Sequence, residues 1–141
     1  MMPTEIEILN SVPFFQDLST NELEILSPII HRVKVHEGEI LTRRGMTASA
    51  LYINLTGNAM VSYEEDRAVT LHKKGDVIGL SAGVVPSVYK GTAMALTDGE
   101  WLSMAGQNLV ELMQSNNALG EKILKKIGEV FRERAHFMDG E

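Results

Sequence analysis

The chain has 141 residues, of which 44% are hydrophobic and 23% charged, and its formal net charge is −6. This length supports one domain with its own hydrophobic core, and the acidic balance disfavours non-specific attraction to nucleic acid or anionic lipid. The absence of cysteine excludes disulfides, thiolate metal sites and a cysteine nucleophile.

The first residues show no sign of an export signal or a membrane anchor. The segment from Met1 to Glu7 lacks a basic stretch followed by an apolar run, and no part of the chain approaches the roughly 20 apolar residues that a membrane span needs. We therefore expect a cytoplasmic protein that is neither exported nor embedded in a membrane.

Residues 5–30 carry the signals of short helices. Ser19 with Glu22 three residues later forms a capping box, and Leu23 and Leu26 supply the apolar face that follows. These signals predict a helix from about Thr20 to Pro28.

From His31 the spacing of apolar residues changes from helical to alternating, which is typical of strands. Turn-forming groups such as Thr97-Asp98-Gly99 separate the apolar runs. The predicted strands are His31–Val35, Ile40–Thr42, Ala50–Leu55, Ala59–Tyr63, Val69–His72, Val77–Gly79, Tyr89–Leu96 and Glu100–Met104. About eight short strands within residues 31–105 indicate a β-barrel or a sandwich. The small, apolar segment between Gly79 and Pro86 interrupts the series.

Residues 106–138 are predicted to form two helices separated by a break at Ser115-Asn116-Asn117. The second and longer helix, from Ala118 to Phe137, carries residues spaced by four and three. These residues are Ile123, Ile127, Val130, Arg134 and Phe137. The spacing is that of a coiled-coil seam and predicts a homodimer through this helix. The alternative is that the same residues pack on the barrel, and Arg134 in the seam favours that alternative.

Several short motifs, taken in their order along the chain, carry a resemblance to a known family. They are Pro13-Phe14-Phe15, Glu37-Gly38-Glu39-Ile40-Leu41, Leu51-Tyr52-Ile53 with Gly57, and Gly75-Asp76-Val77-Ile78-Gly79. Together they resemble the cyclic-nucleotide-binding domain family of catabolite-activator-type regulators, cyclic-nucleotide-dependent kinases and gated channels. The resemblance implies a single, mainly β domain over residues 1–141, a jelly-roll-like double-stranded β-helix with flanking helices.

The resemblance also implies a ligand site, because this family holds its ligand mainly through a phosphate-binding cassette, here residues 79–93. The implied ligand-binding residues are Gly79, Leu80, Ser81, Ala82, Tyr89, Lys90, Gly91, Thr92 and Ala93. Gly79 retains the family's glycine before a short helix whose N–H groups face the phosphate. Leu80 stands where the family has a glutamate for the ribose, and Lys90 stands where it has an arginine fork. We therefore expect binding of cAMP, cGMP or another small anion to be weak, altered or lost.

The resulting hypothesis is a non-enzymatic regulatory or sensory module that binds a small anionic ligand. One alternative is a ligand-free module for protein interaction or dimerisation, in which Leu80 and Ala82 have become packed core. Another is a haem-type gas sensor, for which His72 is the histidine to consider.

Other chemistries find no support in the residues. Serines at 81, 87 and 103 lack a nucleophile-elbow motif, so we expect no catalytic residue. His31 and His36 point to opposite faces of a strand, so we expect no metal site. The chain ends a few residues after the last helix, at Asp139-Gly140-Glu141, so we expect no DNA binding by this chain alone.

Overall fold

A computed structural model describes residues 5–83 and 87–139, with side chains for all of these except residues 66, 83 and 136–139. The N-terminal helices are α1 (Ile6–Asn10) and α2 (Thr20–Leu26). The predicted capping box is present, since the Glu22 N–H donates to Ser19 Oγ at 3.2 Å and the Ser19 N–H donates to Glu22 Oε1 at 2.9 Å. Pro28 cannot donate a backbone hydrogen bond, and α2 gives way there to the 3₁₀ turn Ser27–Ile29.

Eight strands follow, as the sequence predicts. They are β1 (His31–Val35), β2 (Ile40–Thr42), β3 (Ala50–Thr56), β4 (Ala59–Ser62), β5 (Ala68–Leu71), β6 (Val77–Ile78), β7 (Thr92–Ala95) and β8 (Gly99–Ala105). They form two antiparallel sheets with the strand orders β1-β8-β3-β6 and β2-β7-β4-β5. This arrangement confirms the predicted mainly β, jelly-roll-like fold.

The last hairpin starts later than predicted, because β7 begins at Thr92 rather than at Tyr89. The backbone of Tyr89 pairs instead with the loop after β2. Its N–H donates to the carbonyl of Met46 at 2.9 Å, and its carbonyl accepts from the N–H of Gly45 at 2.9 Å. The backbone just before β7 therefore closes a loop instead of extending the sheet.

Two buried hydrophobic clusters stabilise the fold. The one between the sheets contains Val35, Ala59, Val61, Tyr63, Leu71, Ile78, Ala93, Ala95 and Trp101. The other joins the outer face of the β1-β8-β3-β6 sheet to the helices and includes Phe15, Leu23, Leu51, Ile53, Val77, Leu102, Met104, Leu109, Ile123 and Ile127. Trp101 and Leu102 are neighbours in β8 yet belong to different clusters, because successive side chains of a strand point to opposite faces. This sheet is therefore covered on both sides.

The C-terminal helices are α3 (Gly106–Ser115) and α4 (Asn117–Asp139). The predicted break lies at Asn116, whose backbone is extended with φ −138° and ψ 95°. Its side-chain Oδ1 accepts from the Leu119 N–H at 3.1 Å and so caps the start of α4. The two helices touch at Gly120, where a Cβ would lie only 2.7 Å from the carbonyl oxygen of Met113.

The predicted seam of α4 faces the chain's own core. Ile123 and Ile127 are 1% and 3% exposed and lie in the cluster beneath the helices, and the half-buried Val130 packs against that cluster. Arg134 is also buried, whereas the side chain of Phe137 lies outside the described residues. Ile123, Ile127 and Arg134 are therefore not surface residues here, and the alternative of packing on the barrel accounts for them. A homodimer through α4 stays a prediction, and such a dimer would have to form through the outer face of this helix.

Two ion pairs join α4 to the N-terminal segment. Lys122 Nζ lies 2.7 Å from Glu22 Oε1, and Lys126 Nζ lies 3.6 Å from an oxygen of Asp17. The hydrogen bond from Lys122, followed by the one from the Ser19 N–H, lowers the pKa of Glu22 below its ordinary value of 4.5. The first half of α4 is thus fixed to α2.

The substitution Lys122→Met is expected to lower the free energy of unfolding at neutral pH by about 0.5 kcal/mol, since Lys122 is partly exposed. Because the pKa of Glu22 is lower in the folded chain, the ion pair stabilises the protein above pH 4.5, and this contribution disappears as the pH falls through the lowered value. Urea unfolding between neutral and acidic pH measures both effects. The exposed Lys125, substituted in the same way, is the control and should change neither, whereas equal effects of the two substitutions would contradict the role of the ion pair.

Candidate functional site

The chain leaves the sheet at Gly79, directly after β6. Gly79 has φ +80°, and a Cβ there would lie 2.6 Å from the carbonyl oxygen of Ala50, so a residue with a side chain is disfavoured on both counts. A 3₁₀ turn from Leu80 to Gly83 follows. This turn is the start of the predicted cassette, and residues 84–86 of the cassette lie outside the described part of the chain.

A cavity of about 30 Å³ lies beside this turn. Six of the predicted ligand-binding residues line it: Gly79, Leu80, Ser81, Tyr89, Lys90 and Gly91. Its volume is room for about two water molecules, whereas pockets for small-molecule ligands usually measure about 300–1,000 Å³. The structure therefore brings most of the predicted site together around a small cavity.

The other three predicted residues do not line the cavity. Ala82 is buried in the cluster beneath the helices, and its carbonyl lies so close to Gly106 that a Cβ there would be 2.2 Å from its oxygen. The Thr92 hydroxyl accepts from the N–H of Arg44 at 3.0 Å. The Ala93 N–H donates to Thr42 Oγ1 at 3.1 Å. These residues hold the cassette in place and are not exposed to a ligand in this cavity.

Tyr89 has a structural role in the wall of the cavity. Its hydroxyl donates to the carbonyl of Ala50 at 2.7 Å and accepts from the Ala50 N–H at 2.9 Å. Both hydrogen bonds tie the loop before β7 to the start of β3. The hydroxyl of Tyr89 is therefore already used both as a donor and as an acceptor.

Leu80 and Lys90 differ in burial. The side chain of Leu80 is 5% exposed and belongs to the hydrophobic cluster beneath the helices, so this position offers no acceptor for a ribose hydroxyl. Lys90 is exposed at the edge of the cavity and makes no ion pair with any side chain in the described residues. A positive charge is thus available at the entrance.

Helix α4 closes the cavity with Phe131 and Arg134. Arg134 is 8% exposed, and its Nη1 donates to the carbonyl of Val77. Its guanidinium also contacts the hydroxyl of Tyr63, which lines the same cavity. Burial lowers the pKa of Arg134 and raises the pKa of Tyr63, since both charged forms lose hydration there.

Among the described residues, the charge of Arg134 has no close counter-ion. No carboxylate in the described residues forms an ion pair with it, and Asp76 and Glu133 act on it only at longer range. Its described close partners, the Val77 carbonyl and the Tyr63 hydroxyl, are both neutral. A buried cation with neutral partners is costly to desolvate, so this cavity favours an anion.

Tyr63, Phe131 and Arg134 line the cavity but are not among the site residues predicted from the sequence. Arg134 is predicted to lie in a helix seam, although a charged residue among apolar seam positions is a signal of a special environment. Tyr63 and Phe131 give no such signal, because an aromatic residue in a strand or a helix is usually core.

The described residues contain no cluster of three histidine or acidic side chains that could hold a metal ion. His72, the residue considered for a haem, is exposed just after β5, and its backbone N–H donates to Asp76 Oδ2 at 3.1 Å. None of the helices in the described ranges is both long enough and apolar enough to cross a membrane.

The chain matches the model of the cyclic nucleotide-binding domain over residues 32–116, which is more than half of its length. The cGMP-dependent protein kinase, isozyme 2 forms cD5/T2, of Drosophila melanogaster is 23% identical over 141 residues, covering 90% of this chain. The match spans only 15% of the length of that kinase.

Solved structures show the same fold. A candidate cyclic nucleotide-binding protein from Geobacter metallireducens superposes with a TM-score of 0.84 at 22% identity, covering 94% of this chain and 99% of that one. The regulatory subunit of a cAMP-independent protein kinase A from Trypanosoma brucei superposes with a TM-score of 0.73 at 19% identity, covering 92% of this chain and 46% of that one. Phe131 and Arg134 lie beyond the residues that the family model matches.

Proposed function

Since the chain belongs to the cyclic nucleotide-binding domain family, whose members are regulatory modules, we propose that it binds an anionic ligand of the cyclic nucleotide class between the cassette and helix α4. Arg134 supplies the guanidinium that the cassette lacks, and Lys90 adds a second positive charge at the entrance. Binding changes the position of α4, which passes the signal on.

The observation that carries this proposal is the buried guanidinium of Arg134, which has only neutral close partners among the described residues. A phosphate beside it would supply the missing negative charge, and hydrogen bonds between two charged groups are stronger than those between neutral ones. Ser81 and Lys90 line the same cavity and offer further donors. The cavity is therefore chemically suited to an anion, although it is too small for a nucleotide while closed.

Helix α4 is the element that has to move. Phe131 and Arg134 close the cavity, whereas Lys122 and Ile127 fix the first half of the helix to α2 and to the core. A nucleotide therefore displaces the second half of α4 and leaves the first half in place. Because the closed state must open first, the apparent affinity is lower than the intrinsic one by the fraction of open molecules.

We expect the affinity for a cyclic nucleotide to be weak. Leu80 cannot accept a hydrogen bond from the ribose, and the loss of one such bond to a charged group costs about 1.5–3 kcal/mol. This loss corresponds to a roughly 10- to 150-fold higher dissociation constant. The opening of α4 raises it further.

Calorimetric titration with cAMP and cGMP tests the proposal, together with hydrogen exchange of α4 in the presence of each nucleotide. We expect saturable heat and faster exchange in the second half of α4, and no binding of adenosine, which has no phosphate. If the protein shows neither heat nor a thermal shift at about 5 mM of either cyclic nucleotide, the proposal is wrong.

The closed cavity also supports a second candidate, a module that regulates a protein partner without any ligand. Leu80 and Ala82 are packed as core, as this alternative expects, while Val84 and Val85 lie outside the described residues. The Trypanosoma brucei relative of the same fold belongs to a kinase that is named cAMP-independent. A flat calorimetric titration with an intact fold favours this candidate.

A further inference from the structure

We infer a second binding site, for a small aromatic monocarboxylate, in a shallow groove of about 290 Å³ between the end of β2 and the ring of Tyr52. The residues that matter are Leu41, Arg43, Met46, Tyr52 and Tyr89, all of which line the groove. This inference does not depend on the proposed function, because none of these residues except Tyr89 lines the cavity beneath α4.

The groove has a mixed surface, in which apolar side chains and two tyrosines lie beside Thr42, Thr47 and Ser49. Leu41 packs against the cluster between the sheets and Tyr52 does the same, so both are half-buried and held in position. Met46 is 60% exposed and lines the groove. An aromatic ring placed here would cover Met46 and contact the two tyrosines.

Two residues that line this groove carry polar groups without a side-chain partner among the described residues. Arg43 is exposed and forms no ion pair with any carboxylate of the described residues. The hydroxyl of Tyr52 has no hydrogen-bond partner in the described part of the chain. Burial, followed by the influence of Tyr89 and Glu39, raises the pKa of Tyr52, so its hydroxyl stays protonated and can donate. Glu39 is itself engaged, since its Oε1 accepts from the N–H of His36 at 3.1 Å.

These features select the chemistry of the ligand. The planar guanidinium of Arg43 matches a carboxylate with two parallel hydrogen bonds, and the hydroxyl of Tyr52 can donate to the same anion. Arg43 is the only positively charged residue that lines the groove among the described residues, so one negative charge is favoured over two. The volume lies near the lower end of small-molecule pockets, which suits one or two fused rings.

The groove and the cavity share a wall made of Thr42 and Tyr89. Thr42 Oγ1 donates to the carbonyl of Gly91 at 3.0 Å, and the Tyr89 hydroxyl is bound to the backbone of Ala50. Both residues are thus fixed by buried or half-buried hydrogen bonds. The groove and the cavity therefore share these two hydrogen-bonded residues, while the rest of their linings differs.

Nuclear magnetic resonance titration of the full chain with indole-3-acetate tests the inference, with the uncharged indole-3-acetamide as the matched ligand control. We expect saturable shifts of the amides from Leu41 to Thr47 and of Tyr52, and at least about fivefold weaker binding of the amide. Arg43→Gln should weaken the binding of indole-3-acetate by a similar factor. Arg44→Gln is the control variant, because Arg44 is exposed beside Arg43 but does not line the groove.

Three results would overturn the inference: no saturable shifts at about 10 mM of the probe, equal binding by the Arg43→Gln variant, or shifts confined to Gly79–Ser81. The last of these would place the probe in the cavity beneath α4 instead. Failure of cyclic nucleotides to bind in the calorimetric experiment leaves this result unaffected, so the two proposals are tested separately.

Discussion

The substitution Arg134→Met is expected to raise the free energy of unfolding without ligand and to weaken the binding of an anionic ligand. Methionine has a similar length and no charge, so it removes the cost of burying a cation that has no close counter-ion in the described residues. The contacts to the Val77 carbonyl and the Tyr63 hydroxyl are both lost, which offsets part of the gain. We expect a net increase of about 1 kcal/mol.

The same substitution should weaken the binding of the ligand although it stabilises the fold. An anion beside Arg134 loses its charged partner in the variant, which costs about 1.5–3 kcal/mol, or a roughly 10- to 150-fold weaker affinity. Urea unfolding measures the first effect, and thermal shift with cGMP measures the second. A protein that becomes more stable while it loses its ligand is difficult to explain by general damage to the fold.

Arg132→Met provides the control, since Arg132 is exposed on the same helix and does not line the cavity. It should change neither stability nor binding by more than the experimental error. The contrary result for Arg134→Met would be a loss of more than about 2 kcal/mol in stability with unchanged ligand affinity. Arg134 would then serve only to hold α4 against Val77.

The fold can be predicted from this sequence because its local signals agree with one another. Ser19 and Glu22 define the start of α2, Gly79 has the positive φ that ends β6, and Asn116 caps α4. Each of these depends on a few neighbouring residues, so no knowledge of the tertiary structure is required. The same is true of the alternating apolar residues that give the eight strands.

The site can be predicted only in part, because it is made by residues far apart in the chain. The spacing of Arg134 places it on the inner face of α4, yet only the packing of α4 over β6 shows that this face covers the cassette. The exact start of β7 is missed for a similar reason, since Tyr89 pairs with Met46 in a distant loop. The spacing of residues in the sequence shows which of them share a face of a helix or strand. It does not show which other element that face packs against.

The burial of Leu80 and that of Arg134 are two parts of one arrangement. A glutamate at position 80 would lie in the same cavity as Arg134, but the apolar Leu80 offers the guanidinium no carboxylate, and Arg134 forms no ion pair among the described residues. Within the part of the chain that the structure describes, the cavity therefore holds a buried cation and no anion that pairs with it. A ligand that brings its own negative charge fits this arrangement best.

The substitution Leu80→Glu is accordingly expected to raise the affinity for a cyclic nucleotide by about 10-fold or more, because the carboxylate can accept a ribose hydroxyl. Arg134 lies in the same cavity and keeps the new carboxylate ionised. Calorimetry with cAMP and cGMP measures the gain. Leu80→Gln is the matched control, since it has the same length without the charge and should gain much less.

The double variant Leu80→Glu with Arg134→Met separates this explanation from a simple change in packing. It leaves a buried carboxylate without its cation, which costs about 3–5 kcal/mol in stability relative to the Leu80→Glu variant. The two substitutions should therefore be strongly non-additive in urea unfolding, as expected for side chains that pair. Additive effects, together with an unchanged affinity in the folded Leu80→Glu variant, would show that position 80 and Arg134 do not meet at a ligand site.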